Sequence, residues 1–296
     1  MIVQLKKSEI VALRQICQQE GSIKELSARL GAKPSFTSRV LDSLRKKGLV
    51  EFTQSGTMKI IRLSSASHAQ HFKQLVDSRP EAKIEKWLSG YAMEILIATV
   101  GGASTKLILK ECGCTRATLY KTLKALGSAG AVFWKDGNVS VPDRLLAEFV
   151  SAYADNLELL ILRELRGHNF TFRLRKHVIV RTDAENVPEF FTKTGSTALA
   201  EKGLEALLPA NNDYCFDLDR KKREIGIEEE FVHALVLTNL QAQQDTPVLA
   251  IFYAKNRRKM NFRTLKSIAK YYGVEEAWRE IRRNTEFYDK MKDMER

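Results

Sequence analysis

A thirty-residue pattern of apolar and polar positions occurs twice in the chain, at residues 23–52 and 105–134, and the two copies align without a gap. The coinciding positions are glycines, leucines and a closing aromatic: Gly31 with Gly113, Gly48 with Gly130, Leu41 with Leu123, Leu44 with Leu126, and Phe52 with Trp134. Repetition at this scale indicates a duplicated supersecondary unit.

The spacing in the first copy predicts two helices followed by a β-hairpin. Ser22 and Glu25 form the S-x-x-E pattern that caps a helix start, and Gly31 ends this helix. The second helix carries a buried apolar stripe made of Val40, Leu41 and Leu44. After Gly48, residues 49–63 alternate on either side of a polar turn and predict two paired strands.

The second copy predicts the same order of elements. Thr115 caps the second helix, and strands are expected at 131–134 and 139–141. The buried stripe of this helix is Leu119, Leu123 and Leu126. The Asp136-Gly137 pair between the strands is a strong hairpin signal.

Two helices joined by a tight turn and followed by a hairpin make a winged helix-turn-helix, and residues 8–64 and 91–142 resemble that family. The segments that resemble recognition helices and wing transitions of the MarR and ArsR groups are 38–41, 115–121, 47–50 and 129–132. Lys33 departs from the pattern, because these helices usually begin with a capping Ser or Thr. The resemblance implies DNA-binding transcriptional regulation.

The net charge of +12 is distributed unevenly along the chain. Counting Lys and Arg against Asp and Glu gives +7 for residues 1–64, +3 for 88–142, −5 for 143–254 and +7 for 255–283. A cationic excess on these modules indicates a polyanionic partner, here double-stranded DNA. Solvated lysines without a partner are the alternative for the charge alone.

The face of each second helix opposite its apolar stripe is the candidate DNA contact. Arg39 and Arg116 are candidates for base edges, because a guanidinium can form two hydrogen bonds to guanine. Candidate phosphate contacts are Ser35, Ser38, Lys46, Thr115 and Lys121, which would position the protein without specifying sequence. The further candidates on the second helix and the hairpins are Tyr120, Lys124, Lys59 and Lys135. Asp42 argues against a uniform phosphate-binding face.

The second copy is less basic, since Gly127-Ser128-Ala129 replaces the cluster Arg45-Lys46-Lys47. It is therefore either a weaker reader of DNA or a packing or dimerisation surface. Two modules in one chain can also imitate a dimer on a pseudo-palindromic site. A homodimer and a small-molecule or protein effector remain open.

The whole chain is expected to have an α+β fold of two tandem winged helix-turn-helix domains and a C-terminal α+β domain. The expected boundaries are 1–66 and 91–142 for the winged domains, 67–90 for a linker helix, 143–168 for a connecting or dimerisation helix, and 169–296 for the last domain. In that domain, strands are predicted at 170–175, continued by 178–180, and at 214–219. Helices are predicted at 197–208, 231–240, 261–272 and 275–283, and residues 248–253 fit either a strand or a helix.

The C-terminal domain resembles nucleotidyltransferase-like and antitoxin-type domains of archaeal regulators, at residues 194–204, 230–235 and 268–274. Gly195-Ser196 and Asp217-x-Asp219 stand in the order of that family's triphosphate loop and magnesium carboxylates. Their separation is about twice that of the family, and the second aspartate runs into Arg220–Arg223. We therefore expect no catalysis; an antitoxin-like or other protein-interaction role and a divergent nucleotidyltransferase are the alternatives to a regulator.

Other candidate chemistry is weak. Cys112-x-Cys114 lacks nearby ligands and is expected in the core, His68-x-x-His71 is expected to be solvated, and His233 is expected to be a bonded core histidine. No cofactor or metal is expected. No run approaches the ~20 apolar residues of a membrane span, and the N-terminus lacks a signal-peptide pattern, so the expected location is the cytoplasm.

Overall fold

The computed structural model describes residues 3–56, 58–203, 211–241 and 246–294, with the backbone alone for residue 55 and for 287–294. The chain divides into two compact units, Met1–Ile161 and Leu162–Arg296. Mixed helices and strands in both units confirm the α+β class.

The first module is a helical layer closed by a three-stranded sheet. Its elements are α1 (Lys7–Gln18), β1 (Gly21–Ser22), α2 (Ile23–Leu30), α3 (Pro34–Lys46), β2 (Val50–Ser55) and β3 (Met58–Leu63). The strand order is β1-β3-β2, and both pairings are antiparallel. The helices meet through the apolar stripe expected for α3, which is buried together with Leu26.

Local chemistry sets the ends of these helices. The Ser22 hydroxyl accepts the Glu25 amide N–H at 3.3 Å, while the Glu25 carboxylate accepts the Ser22 amide N–H at 2.7 Å. Gly31 then adopts φ +58°, which glycine tolerates without the clash of a Cβ atom. Lys33 makes no side-chain cap, and α3 begins instead on Pro34, whose fixed φ and missing N–H suit the first helical position.

Residues 91–140 repeat the element order of the first module. Two helices of the connecting segment precede them, α4 (Ser67–Ser78) and α5 (Ile84–Leu88). The repeated elements are α6 (Tyr91–Thr99), β4 (Ala103–Ser104), α7 (Thr105–Cys112), α8 (Arg116–Ser128), β5 (Phe133–Lys135) and β6 (Asn138–Ser140). Their strand order, β4-β6-β5, matches the order in the first module. Helix α9 (Arg144–Leu162) follows.

Two features of this unit differ from expectation. The short strands β1 and β4 were not expected, because two residues carry no periodic signal; each pairs with the last strand of its module. The prediction of a solvated His68 was wrong, because its side chain is buried and its ring packs near Tyr153. Burial lowers the pKa of His68, which favours the neutral ring.

The second unit packs helices around a four-stranded antiparallel sheet of order β7-β8-β10-β9. Its strands are β7 (Asn169–Leu174), β8 (His177–Thr182), β9 (Thr192–Lys193) and β10 (Asn212–Asp217). Its helices are α10 (Gly195–Ala200), α11 (Ile227–Leu240), α12 (Thr246–Asn256), α13 (Phe262–Tyr271) and α14 (Glu275–Met294), with a 3-10 turn at Arg257–Lys259.

Three predictions for this unit are resolved by the structure. Residues 178–180 do not continue β7, because Arg175 takes φ +57° and turns the chain into the antiparallel strand β8. Residues 248–253 lie in α12 and are therefore helical. The predicted helix 197–208 is met only in part by α10, which ends at Ala200; residues 201–203 form a turn, and the portion from 204 onward lies outside the described residues.

His233 is a bonded core histidine, as expected. It is fully buried in α11, where Nδ1 lies 2.8 Å from Thr194 Oγ1 and Nε2 lies 2.8 Å from the Tyr272 hydroxyl. Burial lowers the pKa of His233 well below its ordinary value, and the charges of Arg223 and His177 add to the effect. The neutral ring is therefore part of the folded core.

Candidate nucleic-acid interface

The outer face of α3 carries the residues expected there. Ser35, Arg39 and Lys46 are exposed, and Ser38 is partly exposed, while the opposite stripe is buried. Lys59 is also exposed, on β3 of the hairpin. Within the part of the chain that the structure describes, neither Arg39, Lys46 nor Lys59 forms an ion pair with an acidic side chain. Their charges are available to an external anion.

An aromatic ring joins the end of α3 to the hairpin. The Arg45 guanidinium carbon lies 5.2 Å, and the Lys59 Nζ atom 4.2 Å, from the centre of the Phe52 ring. Both separations are within the range of cation–π attraction. Phe52 therefore holds two cations together where helix and wing meet, an arrangement that sequence spacing did not indicate.

Lys47 is not part of this cationic surface. Its side chain is buried, and its Nζ atom lies 2.6 Å from Glu9 Oε2 and donates to the Gln4 carbonyl oxygen at 2.8 Å. Glu9 also accepts hydrogen bonds from the Ser43 hydroxyl and the Lys6 amide. The expected cluster Arg45-Lys46-Lys47 thus loses its third member, because the partner lies in α1, far along the chain.

The pKa values of both members of this buried pair are lowered. Burial raises the pKa of Glu9, but hydrogen bonds from Lys47, Ser43 and Lys6 outweigh it and leave the pKa lowered. Burial lowers the pKa of Lys47, and its bond to Glu9 opposes part of that shift. The lowered pKa of Glu9 favours its charged form, and the pair ties α1 to the end of α3.

Two further elements brace the same end of α3. The Lys47 carbonyl oxygen accepts a hydrogen bond from the Asn156 amide of α9 at 2.9 Å, and the His68 ring nitrogen of α4 lies 3.2 Å from it. These contacts satisfy a backbone carbonyl that a helix end leaves without an intrahelical partner. The candidate reading helix of the first module is therefore fixed by α1, α4 and α9.

The outer face of α8 is also cationic. Thr115 caps the helix, since its hydroxyl accepts the Thr118 amide N–H at 3.2 Å. The exposed cations on α8 and the adjoining strand are Arg116, Lys121, Lys124 and Lys135, and among the described residues none of them forms an ion pair. The apolar stripe of α8 is buried as expected.

Tyr120 and Trp134 form an exposed aromatic pair on the second module. Their ring centres are 5.5 Å apart, the planes are inclined by 31°, and the residues are 45% and 40% exposed. Trp134 corresponds to Phe52 of the first module, which the two cations cover. Sequence reasoning singled out Tyr120 but used Trp134 only as the end of the repeat.

The candidate triphosphate loop in the second unit is bonded internally. Asp213 is fully buried, accepts the Ser196 amide N–H at 2.8 Å and lies 2.7 Å from Arg181 Nε. Gly195 has φ +53°, and a Cβ atom there would lie 2.6 Å from Asp213 Oδ2. The amide that a phosphate would need is therefore occupied by a carboxylate of the same chain.

The candidate magnesium carboxylates are likewise paired with cations. Asp217 lies 3.1 Å from Lys176 Nζ and 3.7 Å from Arg223 Nε, and it accepts from His177. Burial raises the pKa of Asp217, but the His177 hydrogen bond and the two charges outweigh it, so the pKa is lowered. Asp219 is also buried and lies 3.5 Å from Lys176 Nζ.

The other metal-ligand side chains and the cysteines of the described residues do not assemble into a reactive or metal-binding site. No group of three or more His, Cys, Asp or Glu side chains there is placed to hold a metal ion. Burial raises the pKa of the Cys17 and Cys215 thiols to about 12. Cys112 and Cys114 are buried and unbridged. None of the described helices combines the length and apolarity that crossing a membrane requires.

A third basic surface lies in the second unit. Residues 255–274 contain seven Lys and Arg and no Asp or Glu. Arg263, Lys266 and Lys270 follow the exposed side of α13, whose opposite side buries Leu265 and Ala269. This surface accounts for part of the C-terminal charge excess seen in the sequence.

Comparison with known proteins gives one family match. The model of the MarR family matches residues 5–57, so this segment is similar to the winged-helix domain of that family. Proteins of this family are DNA-binding transcriptional regulators that commonly act as dimers. No curated protein and no solved structure compared with the chain is significantly similar to it.

Proposed function

We propose that this protein is a transcriptional regulator that binds double-stranded DNA through two winged-helix modules. The observation that carries the proposal is the repeated order of elements. In each copy the second helix buries one stripe and exposes, on the other side, cations that form no ion pair with any described acidic residue. The MarR-family match to the first copy supports it. A helix of this kind enters the major groove, where a basic outer face meets phosphates and base edges.

The residues divide by role. Arg39 and Arg116 are assigned to base edges, since bidentate pairing with guanine specifies sequence. Phosphate contacts are assigned to Ser35, Ser38, Lys46, Thr115 and Lys121, with Lys124 beside them. Lys59 and Lys135 lie on the hairpins and are assigned to the DNA backbone beside the groove.

The C-terminal unit is assigned to oligomerisation or effector sensing rather than to catalysis. Its Gly195-Ser196 segment bonds Asp213, and Asp217 is surrounded by cations, so neither is open to a nucleotide and magnesium. Magnesium-dependent nucleotide turnover that is abolished by Asp217→Asn and Asp219→Asn would overturn this assignment.

Duplex binding can be tested with sites recovered by footprinting. Fluorescence anisotropy of the full chain at 50 and 200 mM salt should show affinity falling by roughly a hundredfold or more, as expected for several neutralised phosphates. Arg39→Ala should cost roughly five- to 150-fold at the cognate site and little on unrelated duplex, because it removes a base contact. Lys46→Ala should weaken both duplexes alike.

A matched control is available on α9. Arg144 is an exposed arginine outside both modules, so Arg144→Ala removes the same charge without touching the proposed faces. Its affinity should stay within a factor of two of the unchanged chain. Absent or salt-independent binding of duplex would refute the proposal, and equal losses for Arg144→Ala and Arg39→Ala would reduce it to general charge attraction.

A further inference from the structure

The two modules differ at the same positions of their second helices. In α8, residues four apart form one exposed stripe: Arg116, Tyr120 and Lys124. The aligned positions of α3 are Pro34, Ser38 and Asp42. Since residues at i and i+4 are neighbours on a helix surface, the second module presents cation, aromatic and cation in a row, spanning about 12 Å of helix.

The wings differ too. In the first module Phe52 pairs with Ile61, whereas in the second Trp134 pairs with Val139. The second hairpin is therefore shorter by four residues, and its turn at Asp136-Gly137 lies directly beyond Trp134. On this short wing the Trp134 ring lies beside Tyr120, and Trp134 remains 40% exposed.

We propose that Tyr120 and Trp134 stack on an unpaired base, so that the second module binds single-stranded DNA in addition to the duplex contacts proposed above. Exposed aromatic rings among cations are the combination that binds single strands, in which rings stack on bases and cations follow the backbone. The base faces of a duplex are covered by neighbouring bases, so two rings have no such partner there. The proposal rests on the proposed function for the choice of DNA as the polyanion.

The charges around Tyr120 and Trp134 disfavour two other binding partners for this face, a second copy of the chain and a lipid surface. A second copy of the same face would bring Arg116, Lys121 and Lys124 against themselves, a like-charge contact that costs energy. A lipid surface needs an apolar face, whereas this face alternates cations with rings. Asp136 is the one acidic side chain in the hairpin, at its tip.

The chain offers a selective optical reporter. Of its three tryptophans, Trp87 and Trp278 are buried and Trp134 is 40% exposed. A mixed-sequence single strand of twelve nucleotides added to the full chain should quench the accessible part of the fluorescence, and Trp134→Phe should remove that quenching. The duplex of the same sequence should quench little at equal occupancy.

The affinities of variants for single strand and for duplex should then distinguish base stacking from duplex binding. Tyr120→Ser, which introduces the residue found in the first module, and Trp134→Ala should each weaken single-strand binding roughly tenfold. Tyr120→Phe and Trp134→Phe keep an aromatic ring and should lose less than threefold. Phe133→Ala is the matched control, because Phe133 is 58% exposed but lies on the opposite side of the strand.

Each outcome decides between the claims. Duplex binding that persists while single strands neither bind nor quench would overturn this inference and leave the proposed function standing. Loss of both kinds of binding in the unchanged chain would defeat the proposed function itself. Equal loss for single strand and duplex in Tyr120→Ser would indicate groove reading. A change in the oligomeric state of Tyr120→Ser relative to the unchanged chain, measured by sedimentation, would indicate that the face self-associates. Either groove reading or self-association would overturn the stacking proposal.

Discussion

Glu9→Gln should destabilise the first unit strongly, although it changes no residue on the proposed DNA surface. The glutamine side chain keeps the shape of glutamate but offers one acceptor oxygen, whereas in Glu9 the Ser43 hydroxyl donates to Oε1 and the Lys6 amide donates to Oε2. The substitution therefore removes one acceptor as well as the counter-charge of Lys47, whose ammonium group is then left buried with the Gln4 carbonyl oxygen. Breaking a buried ion pair on one side costs about 3–5 kcal/mol.

Proton release from Lys47 sets an upper limit on the part of that cost that comes from the buried, unpaired charge. With an ordinary lysine pKa of about 10.4 and about 1.36 kcal/mol per pH unit, neutralising Lys47 costs about 4.6 kcal/mol at pH 7. At pH 9 the same release costs about 1.9 kcal/mol. In the variant the folded pKa of Lys47 lies below the unfolded value, so the unfolded chain binds more protons and stability rises with pH.

Urea unfolding followed by the fluorescence of Trp87 and Trp134 measures the effect, in a Trp278→Phe background that leaves no tryptophan in the second unit. Trp87 is buried in α5, which packs against α1. The expected loss is about 3–5 kcal/mol at pH 7 and about 2 kcal/mol at pH 9. Adding Lys47→Met should restore most of it, because a methionine can replace the lysine stem without the charge.

The matched control is the exposed pair of Arg144 and Glu148, spaced i,i+4 on α9. Glu148→Gln should change the unfolding free energy by less than about 0.5 kcal/mol, as is usual for exposed pairs. A loss below about 1 kcal/mol for Glu9→Gln, or no recovery when Lys47→Met is added, would refute the assignment of a buried, mutually compensated pair.

Two further predictions concern local stability. Thr115→Ala removes the cap of α8 and should lower the unfolding free energy by about 1 kcal/mol. Lys33→Thr places the same kind of cap before α3 and should raise the unfolding free energy by a few tenths of a kcal/mol. Urea unfolding measures both changes, and shifts of the same sign and size in the two variants would contradict the capping account. The second unit should lose about 1.4 kcal/mol between pH 7.5 and 5.5, because unfolding exposes His233, whose folded pKa is depressed, to protonation near its ordinary pKa of about 6.5. Urea titrations at both pH values should show this loss, and His233→Gln should abolish that part of the slope. An unchanged slope in His233→Gln would contradict the assignment to His233.

The sequence predicted the main helices and strands of residues 22–63 and 105–140 because their signals are local. Capping at Ser22 and Thr115, and glycine at the helix ends, act within a few residues of where they stand. The burial of the α3 and α8 stripes follows from helical spacing alone. The three residues that the sequence misplaced or overlooked have nonlocal surroundings. Their partners lie far away in the sequence, so the local pattern did not reveal the environments of Lys47, His68 and Trp134.

In the second unit the errors arose from turns and short strands. A left-handed backbone at Arg175 separates β7 from β8, yet arginine carries no turn signal comparable to glycine or asparagine. The aspartates of the candidate enzyme motif were correctly placed at the end of a strand, but only the fold shows the cations Lys176 and Arg223 around them. The residue types suggested a magnesium site at these aspartates, whereas contacts between residues distant in sequence pair the aspartates with cations.

The divergence of the two copies bears on how one chain would recognise DNA. A pseudo-palindromic site requires two equivalent reading faces, because each half-site presents the same groups. Here the aligned stripes are Pro34, Ser38 and Asp42 in one module and Arg116, Tyr120 and Lys124 in the other, with a longer wing on the first. The end of α3 is also braced through the Lys47 carbonyl oxygen by side chains from α4 and α9. Two faces that differ in charge, shape and support favour an asymmetric site, and symmetry, where it exists, would have to come from a second copy of the chain.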